Sequence, residues 1–163
     1  MKKFFFVFIF IIIGYVLEFI IFNCFDERWM PNILMLIIIF VHLAMGRNTS
    51  LFAAIVAGLI KDSFSADMFG FNLYSFLICS YALTLIIKHV YRRGSPSSRL
   101  LVVFICVILN FFVQYFIYLA NDAISFVDAF RFILVPELLL TLFLAPFIFK
   151  QLEKCVSKLF VLS

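Results

Sequence analysis

Six apolar runs, separated by short polar stretches, organise this chain. The first, FFFVFIFIIIGYVLEFIIF, covers 4–22, and the second, WMPNILMLIIIFVHLAM, covers 29–45. A bilayer core about 30 Å thick takes about 20 apolar residues of helix, so both read as membrane spans. The first follows Lys2 and Lys3 but is longer than a signal-peptide core and leads to no small-residue cleavage site, so an uncleaved span is expected. Pro31 suits the start of the second helix, where its missing N–H costs nothing. GRN at 46–48 breaks that run. The third run, TSLFAAIVAGLI, is only about 18 Å of helix. It spans only by continuing past Lys61, over 49–64. The fourth span is expected over 72–88, with Asn72 as its N-cap. RRGSPSS at 92–98 is a turn, and a fifth span follows over 100–120. SFVD at 125–128 has the spacing of a capping box and opens a sixth over 128–149, which carries Pro136 and Pro146.

Composition puts those helices in lipid. The chain has 163 residues, of which 66% are hydrophobic and 13% charged, with 25 Phe and a mean hydropathy of +1.20. A soluble domain is about half apolar and about a quarter charged, and one small core cannot hide this much apolar surface from water. The expected fold is an all-α integral membrane protein, a six-transmembrane-helix bundle forming a single domain over 1–163. The net charge of +4 is then no nucleic-acid footprint and is read by position. Lys2, Lys3, Arg47, Lys88, Arg92, Arg93, Arg99, Lys150, Lys154 and Lys158 fall on the side of the termini, 10 of the 13 Lys and Arg, with Glu153 the one acid there. Arg28, Lys61 and Arg131 fall on the other side with Asp26, Glu27, Asp62, Asp67, Asp122 and Asp128. The excess of Lys and Arg places both termini in the cytoplasm. Cys24, Cys79, Cys106 and Cys155 are scattered, without metal or disulfide spacing. No catalytic motif, metal site or cofactor is expected.

Polar and small residues inside the spans are the candidates for function. The third span carries Ala53, Ala54, Ala57 and Gly58, two small-xxx-small pairs of the kind that let helices approach closely. They serve either the bundle centre or a partner-binding face. Beyond them lies KDSFSADMFG at 61–70. Asp62 sits at a helix C-terminus, where the dipole disfavours it, so it needs a partner, and Gly70 permits a positive φ. The segment reads either as a solvated turn or as a shaped hinge or recognition element, with Ala54, Gly58, Asp62 and Gly70 as its candidates. Glu137, near the middle of the sixth span, costs about 3 kcal/mol on insertion scales and should face the bundle interior. Asn110 and Gln114 share a face of the fifth span, and Asn110 matches Glu137 in depth. Glu18 and Arg131 lie at similar depth and are expected to pair. His42 is expected to be a satisfied core residue. Trp29, Tyr91, Tyr115 and Tyr118 fit interfacial belts.

PNILMLIIIFVHLAMGRN, followed by SLFAAIVAGLIKDSFSADMFGFNLYSFLICSYALTLI, resembles the MreD family of rod shape-determining proteins. The likeness rests on Pro31 and Asn32, on Gly58, Leu59 and Asp62, and on Gly70. LVPELLLTLFLAPFIFKQL at 134–152 resembles the family's last span, with Pro136, Thr141, Ala145 and Pro146 in register. Glu137 departs from the pattern, as does the loop tip SFSAD, which lacks a glycine. The resemblance implies a six-span, non-enzymatic inner-membrane subunit of the bacterial cell-elongation machinery. It implies binding to the scaffold MreC and, through it, work with the MreB filament and the elongasome glycosyltransferase and transpeptidase. The family is also similar to the substrate-binding subunits of energy-coupling-factor vitamin transporters, so a vitamin-binding subunit is the alternative. Those subunits usually carry small residues on the first helix, where this chain offers only Gly14.

Overall fold

A computed structural model describes residues 2–24, 31–65, 69–91, 96–119 and 126–161. Helices α1 (Lys2–Cys24), α2 (Ile33–Met45), α3 (Arg47–Phe64), α4 (Phe71–Val90) and α5 (Pro96–Leu119) run up and down. A short α6 (Phe126–Ala129) passes through a π-helical segment (Phe130–Leu134) into α7 (Val135–Val161). Trp29, the charged stretch 26–28, Asp67, Arg92, Arg93, Asp122 and Ser125 lie outside the described residues, as do the side chains of Tyr118 and Lys158.

Among the described residues, four helices are long and apolar enough to cross a membrane: Lys3–Cys24, Phe71–His89, Pro96–Ile117 and Val135–Ser157. α2 is apolar but only 13 residues long. α3 does continue past Lys61, to 18 residues, but carries polar residues at both ends. α2 is the central post. Every residue from Pro31 to His42 is buried, because α1, α3, α4, α5 and α7 all pack on it. α3 packs most extensively against α4.

Several boundaries differ from the sequence reading. Only Gly46 separates α2 from α3, at φ 91° and ψ 178°, whereas GRN was expected to break the run. Glycine reaches that φ at no steric cost, so Arg47 and Asn48 are free to open α3. α5 starts at Pro96, a good first helical residue. The last helix runs on to Val161, past the expected end at 149. Its π-helical segment lies just before Pro136. The Val135 N–H donates to the Phe130 carbonyl, five residues back. A proline ring clashes with the carbonyl four residues earlier and offers no N–H, and a widened turn relieves that conflict.

Candidate functional site

The start of α2 is buried among charged and amide side chains drawn from its neighbours. In a bilayer the first N–H groups of a helix have no water to turn to, and here each is accounted for. Asn32 is the N-cap, and its side-chain oxygen accepts from Met35 N at 3.1 Å. Leu34 N donates to Glu18 Oε2 of α1 at 3.3 Å, Ile33 N to the Pro31 carbonyl at 3.1 Å, and Asn32 N to Thr141 Oγ1 of α7 at 3.1 Å. The Asn32 amide in turn donates to Glu137 Oε1 at 2.9 Å. Both carboxylates thus stand at the positive end of the α2 dipole.

Glu18 also takes the Lys61 ammonium of α3, at 2.6 Å. This corrects the expected pairing with Arg131, which is exposed on the π-helical segment. Depth along the bilayer had pointed to Arg131 alone. Only the packing of α1 against α3 decides for Lys61. Glu137 faces the interior, as expected, and is 9% exposed. Asn110 is fully buried and lies beside it, while also accepting from Ser75 Oγ of α4. Among the described residues, none meets hydrogen-bond geometry with the Asn110 amide nitrogen. Gln114 is half-buried and takes no part in these hydrogen bonds. Ser75 escaped the sequence reading, and Asn32 and Thr141 entered it through the family likeness alone, not as partners of Glu137 or of the α2 start. Only the depth of Pro31–Asn32 relative to Glu137 could have signalled them.

One residue beyond Lys61, Asp62 reaches the start of α4. Oδ2 accepts from Gly70 N at 3.1 Å and Leu73 N at 3.0 Å, and Oδ1 accepts from Asn72 N and Asn72 Nδ2, both at 2.9 Å. The N-cap of α4 is Gly70, at φ 97°, and it has no side chain to cap with. Asn72 was expected in that place but sits inside the helix. Asp62 supplies the missing acceptor from a neighbouring helix, and the positive end of α4 offsets its unfavourable position at the end of α3. Asp62 and Gly70, near the two ends of the segment, are therefore tied to each other. Gly58 lies against the same seam. A Cβ there would overlap Leu73 Cα and come within 2.9 Å of its nitrogen. Ala53, Ala54, Ala57 and Gly58 are all buried. The small-residue face is thus filled from within the chain, and as a docking face for a separate helix it is already covered.

At the other end of the bundle, His42 Nδ1 lies 2.8 Å from Ser50 Oγ, which lies 3.0 Å from Ser80 Oγ. This is the satisfied core histidine the sequence suggested. Arg47 stacks over the Tyr81 ring, and Arg99 pairs with Glu153. Among the described residues no cluster of His, Cys, Asp or Glu is placed to hold a metal ion.

The polar groups at the starts of α2 and α4 therefore hold helices. Asn32 and Asp62, which carried the resemblance, are the two side chains that cap α2 and α4. The chain matches no curated protein and no solved structure. The family profile of the rod shape-determining protein MreD matches it over residues 1–155, and the chain belongs to the MreD family.

Proposed function

We propose that this chain is a six-span, non-enzymatic subunit of the rod-shape machinery in the bacterial inner membrane. It binds MreC and through it works with MreB and the elongasome glycosyltransferase and transpeptidase, helping to maintain cell shape and to direct peptidoglycan synthesis. Family membership supports the shape-determining role. The observation that carries the scaffold reading is the use of its buried carboxylates. Glu18, Asp62 and Glu137 are each engaged by donors from other helices, which suits a rigid support rather than a reacting group.

In this reading the Asp62 cap and the Gly58 contact keep the outer ends of α3 and α4 in register, and a partner helix docks on the surface so held. Tagged MreC should co-purify with the unaltered chain, and expression should restore rod shape to cells lacking their own MreD. Gly58→Leu drives a side chain into the Leu73 backbone, and it should lower both readouts at matched membrane levels. Full binding and full rescue by Gly58→Leu and Asp62→Ala would reduce the segment to an internal turn.

A further inference from the structure

We propose that the outward face of α7 is a docking stripe for one anionic phospholipid of the leaflet at the terminal end of the bundle. Leu139, Phe143 and Phe147 are 55%, 78% and 63% exposed. Lys150 and Lys154 are exposed as well. At 3.6 residues per turn these five positions fall within an arc of about 80°, opposite the buried Thr141, Ala145 and Leu152. The stripe is apolar along one stretch and cationic along the next.

Its dimensions fit a lipid. Leu139 to Lys150 rises about 16 Å, close to half of a hydrocarbon core about 30 Å thick. Lys150 to Lys154 rises about 6 Å, close to the depth of one headgroup layer. The charge is also available. Neither lysine pairs with a described carboxylate, and Glu153, the nearest acid in sequence, is held by Arg99 of α5. Two exposed ammonium groups at headgroup depth, continuing an apolar track at least one leaflet long, complement an anionic headgroup above its acyl chains. A partner helix would need acidic residues opposite the lysines.

Full-length protein carrying Phe147→Trp, with the single tryptophan removed by Trp29→Phe, places a reporter within the stripe. It is reconstituted in phosphatidylcholine bilayers and titrated with phosphatidylglycerol bearing brominated acyl chains, or with brominated phosphatidylcholine. Bromine quenches indole at contact, so the two curves give local lipid preference. The expected preference for phosphatidylglycerol is on the order of tenfold. It should disappear in Lys150→Gln/Lys154→Gln and persist in Lys88→Gln, a control on α4. Equal quenching by the two lipids overturns the proposal, as does a preference that survives loss of both lysines. Weak quenching by both lipids would mean that a second copy of the chain covers the stripe. Loss of the preference on adding inorganic phosphate would identify a free-anion site instead. Either result also overturns it.

Discussion

The carboxylate of Asp62 accepts four hydrogen bonds, three from backbone N–H groups at the start of α4. It is 4% exposed, so these donors have no ready substitute in water. Leaving buried donors unpaired costs about 1–3 kcal/mol each, and a lost cap alone costs about 1 kcal/mol. Asp62→Ala should therefore destabilise the purified protein by about 2–4 kcal/mol, seen as a lower midpoint in a thermal unfolding assay in detergent. Asp62→Asn keeps one acceptor oxygen and loses the other, so it should fall between the two. Parity of Asp62→Ala with the unaltered protein would remove the cap from the account. The sequence showed that Asp62 was misplaced for its own helix. It could not show that α4 begins within reach, because that depends on how α3 and α4 pack.

At the scale of elements, α2 is too short to reach across a bilayer by itself, at about 20 Å for 13 residues. Its start is consequently buried, and the neighbours must supply what water would supply to a longer helix. Glu18 joins three elements there, accepting from Leu34 N of α2 and pairing with Lys61 of α3. Glu18 is 1% exposed and Lys61 18%. Removing one partner of a buried pair costs about 3–5 kcal/mol, and replacing both costs much less. Glu18→Gln keeps an acceptor for Leu34 N while deleting the charge. In thermal unfolding it should cost more alone than in combination with Lys61→Met. Additive losses in the double variant would show that the pair is not coupled. The Pro136 position makes a related point about α7. A proline in the last span was plain from sequence, but the widened turn before it follows from keeping the helix continuous on both sides.

Across the whole molecule, α2 stands at the centre of a ring made by α1, α3, α4, α5 and α7. Two sets of polar contacts mark opposite ends of the bundle. Glu18, Lys61 and Asp62 lie at one end, and Arg99 with Glu153 at the other. From the cation count, the first end is expected to face the outside. A cysteine at Ser65, in a background without other cysteines, should then react with an impermeant maleimide in intact spheroplasts. Reaction only after lysis would invert the arrangement.

The alternation of apolar and polar runs was enough to establish a helical membrane protein, while the family resemblance was carried by Pro31, Asn32, Gly58, Leu59, Asp62 and Gly70. The first depends on what lipid demands of a chain locally: about 20 apolar residues per crossing and charges kept at the ends. The small residues of α3 and the isolated acids were visible too, though not what they touch. Pairing Glu18 with Lys61 rather than Arg131, capping α4 from α3, and filling the Gly58 face with Leu73 were decided by which helices are neighbours. That depends on side-chain packing between segments far apart in the chain, and no local pattern encodes it.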